Sequence, residues 1–286
     1  MSLTENQLLW KKGKISASVL PAIFNRHPYI TSMDLFLELR GMLNPQKATE
    51  AMDTGNDLED GVCRWASRTL GKMDRIKGLG YSANDCPLIA HPDRIVRKDG
   101  SVFEAKTVRF KNLDNEDIPQ DFMIQVFGQL ICKPDAPMGY CGVLTGGFNK
   151  VLYTVERDKD FEDELKEGVR LFDRMVKENI APDDSYAHYD VIKRVKQRKG
   201  KVIQLSLKPE EVGELIELQS VTEARLMYEK REKILKAKYL TKLGDAEIAE
   251  IPGVGEISYI GYPSKGYEVK AGIKKRFGLK LQGERQ

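Results

Sequence analysis

Residues 91–108 read HPDRIVRKDGSVFEAKTV, and the way this stretch folds decides the rest of the chain. Lys98-Asp99-Gly100 lies between two runs rich in β-branched residues, and Asp-Gly in that setting is a strong hairpin signal. In the strand that leaves the turn, Glu104 and Lys106 are two residues apart. They therefore point to one face, with Ala105 turned to the other. The strand that enters, PLIAHPDRIV (87–96), carries Asp93, and a tight turn brings that carboxylate opposite Glu104. Val102, Phe103 and Val108 make the second strand at least half buried. Two carboxylates and an ammonium on such a face are costly unless a further cation joins them. Mg²⁺ takes hard oxygen ligands, usually one or two carboxylates with water and phosphate. A lysine beside it can orient or deprotonate a water, or pair with a phosphate. The competing reading is a solvated strand face, with Asp93 serving only the turn.

The 286 residues suffice for one large core, or for a core with an appendage. Hydrophobic residues make up 41% and charged residues 31%, as in an ordinary globular protein with a charged surface. A net charge of +3 is too small to announce a polyanionic partner, so the distribution of charge must carry that argument. No apolar run approaches the roughly 20 residues that span a bilayer, and MSLTENQLLWKKGK has no apolar signal-peptide core. The expectation is a cytoplasmic protein without a membrane partner. Cys63, Cys86, Cys132 and Cys141 form no Cys-x-x-Cys pair, which leaves reduced and mostly buried thiols. His27, His91 and His188 are widely separated and give no metal motif.

ISASVLPAIF reads as a helix start, with Ser16 or Ser18 as its cap. SMDLFLELRGML reads as a short helix with Leu35, Leu39 and Leu43 at spacing four, weakened near Gly41. TGNDLEDGVCRWASRTLG predicts a helix with an apolar stripe of Leu58, Val62, Trp65 and Leu70. Glu59 lies beside Cys63 and Ala66, and Gly71 closes the helix. After the hairpin and a polar loop, IPQDFMIQVFGQLIC predicts a helix with Pro119 in its first turn. Phe122, Val126 and Leu130 form its buried stripe, and Gln125 and Gln129 line an adjacent face. MGYCGVLTGG and KVLYTVERD read as two strands, and FEDELKEGVRLFDRMVKENI as an amphipathic helix.

Four of these features, taken in order, resemble one family. ISAS (15–18), Gly55 and Glu59 in GNDLE, Pro92-Asp93 with Glu104-Ala105-Lys106, and FMIQ ending at Gln125 are similar to the signature of the YqaJ-like viral recombinases. These are typified by the phage lambda exonuclease, a branch of the PD-(D/E)XK nucleases. The resemblance covers roughly residues 10–180 and implies an α/β fold with a restriction-endonuclease-like core, a central mixed sheet flanked by helices. It implies that Asp93, Glu104 and the backbone carbonyl of Ala105 hold Mg²⁺, with Mn²⁺ as a substitute. It further implies that Lys106 acts on the attacking water, and that Glu59 and Gln125 complete the catalytic set. Lys11, Ser16 and Ser18 match the positions of the family's 5′-phosphate pocket, although arginine is usual where Lys11 stands. Lysine meets a phosphate as a point charge rather than a planar fork. His91 stands where the family has a small residue, and its role is open. The implied activity is resection of the 5′-ended strand of linear duplex DNA, leaving a 3′ overhang for a single-strand annealing partner. A ring-shaped homotrimer in the host cytoplasm is the implied assembly. An endonuclease, a nuclease of other polarity and an inactive DNA-binding accessory protein are the alternatives.

The texture changes near residue 185, so the expected division is a core of residues 1–184 and an extension of residues 185–286. The extension opens on VIKRVKQRKGK, with six Lys or Arg in eleven residues, suited either to a DNA backbone or to a solvated linker. A long charged helix follows from about Pro209 to Leu243. IPGVGEISYIG superficially resembles the Gly-x-Gly of a helix–hairpin–helix, but the alternating EISYIGYPSKGYEVK favours strands over the required second helix.

Overall fold

The computed structural model describes residues 10–44, 49–108, 117–146, 149–182, 186–196, 201–204, 206–263 and 273–281. The chain divides into two compact units, Met1–Lys199 and Gly200–Gln286. The first contains β1 (Ile15–Ser16), α1 (Leu20–Ile23), α2 (Ser32–Leu39), α3 (Glu50–Leu70), β2 (Met73–Asp74), β3 (Tyr81–Ser82), β4 (Leu88–Ala90), β5 (Arg94–Val96) and β6 (Val102–Val108). It continues with α4 (Gln120–Cys132), β7 (Met138–Thr145), β8 (Lys150–Glu156), α5 (Lys159–Glu178) and α6 (Tyr189–Ile192). The second contains α7 (Pro209–Leu243), β9 (Ile248–Ile251), β10 (Gly255–Pro263) and β11 (Ile273–Leu281).

A five-stranded mixed sheet of order β2-β5-β6-β7-β8 forms the centre of the first unit. Only β6 and β7 run parallel, because the buried helix α4 carries the chain between them. The pleat sorts β6 between two layers. Val102, Glu104 and Lys106 face α4, where Val126 and Leu130 are buried with Val102, Cys141 and Val143. Phe103 and Ala105 face α3 and pack with Val62, Cys63 and Ala66. Helices on both sides of a mixed sheet are the α/β arrangement expected from the sequence.

Several local expectations change. ISAS starts as a strand and passes into a helix. Ile15 and Ser16 run parallel to β4. Ser16 also stands at the N-cap of a 3-10 turn, Ala17–Val19, without a side-chain hydrogen bond, and that turn leads into α1 at Leu20, where Pro21 suits the first turn. Helix α2 starts on a Thr31–Asp34 capping box and ends at Leu39. Gly41, at φ +65°, turns the chain away, so Leu43 pairs with Val195 instead of extending a helical stripe. In α3 the buried stripe is Val62, Cys63 and Ala66, while Leu58 is exposed. PLIAHPDRIV is two strands, not one. Leu88–Ala90 joins a separate three-stranded sheet of order β1-β4-β3, and Arg94–Val96 joins the central sheet. Pro92 has no N–H to give to a ladder, so the chain changes sheets there. In α4, Pro119 caps the helix and both glutamines are buried together with the apolar stripe.

The first unit extends past residue 184, because residues 186–196 pack back upon it. The Asp34 carboxylate accepts the His188 N–H at 2.9 Å and lies 2.6 Å from His188 Nδ1. Lys196 N–H donates to the Met42 carbonyl at 2.8 Å. Of the basic run, residues 197–200 lie outside the described residues. In the second unit α7 covers the span expected, and β9, β10 and β11 form an antiparallel sheet in place of a helix–hairpin–helix. Residues 264–272 of the aromatic-rich stretch lie outside the described residues. No helix among the described residues is long and apolar enough to cross a membrane.

Candidate active site

The hairpin forms as its spacing requires. Asp99 Oδ1 accepts the Ser101 N–H at 2.9 Å, and Gly100 takes φ +81°, a conformation open to glycine. Arg94 pairs with Phe103 and Ile95 with Val102, a register that continues to Asp93 beside Glu104 and Pro92 beside Ala105. Val96 N–H donates to the Ser101 carbonyl, so the hydrogen-bonded positions of the ladder are 96/101, 94/103 and, by alternation, 92/105. At the third of these the ladder fails. The Asp93 carboxylate takes the Ala105 N–H at 2.7 Å, and Pro92 has no N–H for the Ala105 carbonyl. The N–H and C=O of one strand residue point to the same side. The Ala105 carbonyl is therefore directed to the side of β6 where Asp93 lies, beyond the end of β5.

On the α4 face, Lys106 Nζ donates to Glu104 Oε1 at 2.9 Å and to Gln125 Oε1 at 2.7 Å. Gln125 Nε2 donates to Glu104 Oε1, and Gln129 Nε2 donates to Glu104 Oε2 at 2.6 Å. Phe122 brings its ring 5.8 Å from Lys106 Nζ. The spacing of α4 explains the cluster, since residues 122, 125 and 129 recur at three and four and stand on one helix face. Burial first, and the Glu104 charge second, push the Asp93 carboxyl well above the ordinary carboxylate value, against the pull of the Ala105 N–H. Burial works against charge on Lys106, but the Glu104 charge and hydrogen bond outweigh it and hold the Lys106 pKa above its usual value.

Glu59 reaches this region from α3. Its charge adds to the lift on Asp93, yet its hydrogen bond is to Arg94, with NH1 2.9 Å from Glu59 Oε1. Arg94 also donates to Asp60 and to the Asp93 carbonyl, and its side chain is only 8% exposed. Arg94 thus ties α3 to the hairpin, a role that one letter after Pro-Asp does not reveal. Gln129 is the other residue that takes part without having been assigned a role. A single polar letter in an apolar helix face was its only signal. Ser16 and Ser18 share a hydrogen bond at 3.0 Å, and β1 runs beside the strand that leads into Pro92 and Asp93. Lys11, in the turn before β1, accepts the Lys14 N–H through its carbonyl. Among the described residues, no hydrogen bond or ion pair joins Lys11, Ser16 or Ser18 to Asp93 or Lys106. His91 is exposed and lies against Gly80, close to Trp10.

The donor set suits a hard divalent cation. Two carboxylates and a main-chain carbonyl offer oxygen only, as Mg²⁺ or Mn²⁺ prefers, and offer no thiolate or imidazole for zinc. No cluster of three or more His, Cys, Asp or Glu side chains stands ready for a metal among the described residues, in keeping with Glu59 being engaged by Arg94. Burial pushes the thiols of Cys63 and Cys132 up to about 12, far from a nucleophilic or ligating state.

The alkaline exonuclease LHK-Exo from Laribacter hongkongensis has a similar fold, with a TM-score of 0.51 and 18% identity over 62% of this chain and 94% of that one. The same values hold for LHK-Exo in complex with dAMP. A phage related exonuclease from Haemophilus somnus 129PT gives a TM-score of 0.43 and 14% identity over 58% of this chain and 96% of that one. No curated protein matches the sequence. Residues 8–140, which span the serines, Glu59, the hairpin and Gln125, match the YqaJ-like viral recombinase domain.

Proposed function

We propose that the chain is a Mg²⁺-dependent DNA exonuclease that resects the 5′-ended strand of linear duplex DNA. The observation that carries this reading is the hairpin itself. It sets two carboxylates side by side, leaves the Ala105 carbonyl without its ladder partner, and aims Lys106 into the same buried face. The match of residues 8–140 to the YqaJ-like viral recombinase domain and a fold similar to that of an alkaline exonuclease support it. Asp93, Glu104 and the Ala105 carbonyl would hold the Mg²⁺, and Mn²⁺ would serve as well. When bound, such an ion lowers the pKa of a water and offsets charge on the phosphodiester. Gln125 holds Lys106 in place, and Lys106 presents its ammonium to the water or the phosphate. Glu59, set by Arg94, borders the same space. Lys11, Ser16 and Ser18 would receive the terminal 5′-phosphate, and the pairing of β1 with β4 supports that position. The product, a 3′ overhang, suits a single-strand annealing partner, and a ring of three copies around duplex DNA in the host cytoplasm suits the task.

The test uses end-labelled linear duplexes, with and without 5′-phosphate, beside closed circles, in Mg²⁺, Mn²⁺ or Ca²⁺. Label leaves the 5′ end of linear DNA in Mg²⁺ and Mn²⁺, and circles survive. Lys106→Ala lowers the rate by about 100-fold or more while duplex binding stays close to wild type. Cutting of circles overturns the exonuclease reading, and equal activity of wild type and Lys106→Ala overturns the site.

A further inference from the structure

A groove between α3 and the β2–β5 edge of the sheet carries cations that the proposed chemistry does not use. It has a volume of about 640 Å³ and is lined by Asp60, Arg64, Ser67, Lys72, Arg94 and Arg97, among others. Residues 60, 64 and 67 recur at four and three, so α3 offers them on one face. Across from them lie the edge strand β2 and its neighbour β5, joined through Met73 and Val96. One end of the groove is Arg94, whose guanidinium holds Glu59 and the Asp93 carbonyl, so the groove reaches the candidate cleavage centre from the α3 side of the sheet. Along the chain, Arg94 to Arg97 is roughly 10 Å of extended strand.

The charges are not balanced. Arg97 pairs with Asp74, Arg75 pairs with Asp60, and Arg94 pairs with Glu59 and Asp60. Arg64 and Lys72 are exposed and form no salt bridge among the described residues. Five cations thus meet three carboxylates in and beside the groove. The exposed pairs are worth at most about 1 kcal/mol each, so their guanidinium groups can turn to a better anion. The groove lining includes no aromatic residue on which a base could stack. A cationic excess without a stacking surface suits a phosphate backbone, which is held through charge and without regard to base.

We propose that this groove is a second phosphate site, which takes the sugar–phosphate backbone of DNA beside the cleavage centre, with Arg64 and Lys72 as its free phosphate ligands. The proposal rests on the nuclease reading above. Its test is the salt dependence of duplex binding, measured by fluorescence anisotropy in EDTA with the full chain. Each phosphate contact contributes about 0.9 to the slope of log K against log salt concentration. Arg64→Ala/Lys72→Ala therefore lowers the slope by about 2, equally for duplexes with and without 5′-phosphate and for unrelated sequences. Arg64→Lys/Lys72→Arg, which keeps both charges, retains the wild-type slope. An unchanged slope and affinity in the alanine pair overturns the groove. So does a slope lost equally in the charge-retaining pair, since that points to damaged packing. Failure of the wild type to degrade any DNA in Mg²⁺ or Mn²⁺ instead overturns the nuclease reading, and the two failures are told apart in separate assays.

Discussion

Gln129→Met separates the structural from the functional role of the polar cluster. Gln129 is 1% exposed; its Nε2 donates to Glu104 Oε2 at 2.6 Å, and its buried Oε1 has no hydrogen-bond partner among the described residues. A carboxylate offers about four lone-pair positions. Lys106 and Gln125 fill two on Oε1 and Gln129 fills one on Oε2, which leaves one on Oε2 for a cation. Methionine has a similar length and no polar terminus. The substitution loses a hydrogen bond to a charged group, about 1.5–3 kcal/mol, and removes an orphaned acceptor that costs about 1–3 kcal/mol. The two nearly cancel, so stability by urea unfolding stays within about 1.5 kcal/mol of wild type. Metal affinity does not stay, because partners that orient a ligand typically account for about 10–100-fold. Calorimetric titration of Mg²⁺ or Mn²⁺ without DNA reads this directly, and the metal concentration for half-maximal cleavage shifts in step. Metal affinity within twofold of wild type, or a stability loss of about 3 kcal/mol or more, refutes the reasoning.

Two further substitutions test the frame around the site. A Cβ at Gly139 would stand 2.2 Å from Val126 Cγ1 and 3.3 Å from Val102 Cγ2, between β7 and α4. Gly139→Ala is expected to cost about 1–3 kcal/mol by overpacking in denaturant unfolding, and a variant as stable as wild type would contradict the packing. Asp34 is buried, which favours its neutral form, but hydrogen bonds from Thr31 and His188 outweigh burial and hold its carboxyl below the ordinary value. A depressed acid contributes stability above its unfolded pKa, about 3.9, and loses it as the pH falls through the folded value. Asp34→Ala is therefore expected to cost about 3 kcal/mol at pH 7, and the gap from wild type narrows towards pH 3. A gap that is constant or widens over that range would show that the carboxylate is not what clasps residues 186–196 to the first unit.

The placement of the centre's side chains was legible in the sequence because it rests on short-range rules. Period two puts Glu104 and Lys106 on one face, Asp-Gly closes the hairpin, and spacing three to four puts Gln125 beside Phe122. Such features depend on residues close together in the chain. What the sequence left open depends on residues far apart. Whether PLIAHPDRIV was one strand or two turned on which sheet could pair with β4, and β1 settled it from more than 70 positions away. Burial of Gln129 and Arg94 could not be read from composition, because either side chain is ordinarily solvated. Only the meeting of α4 with β6, and of α3 with β5, supplies the carboxylates that make their burial affordable. The sequence alone determined which groups could bind a cation and on which strand they stand. The tertiary structure decided which lone pairs stay free, since that count depends on the Gln125 and Gln129 donors that α4 brings against β6.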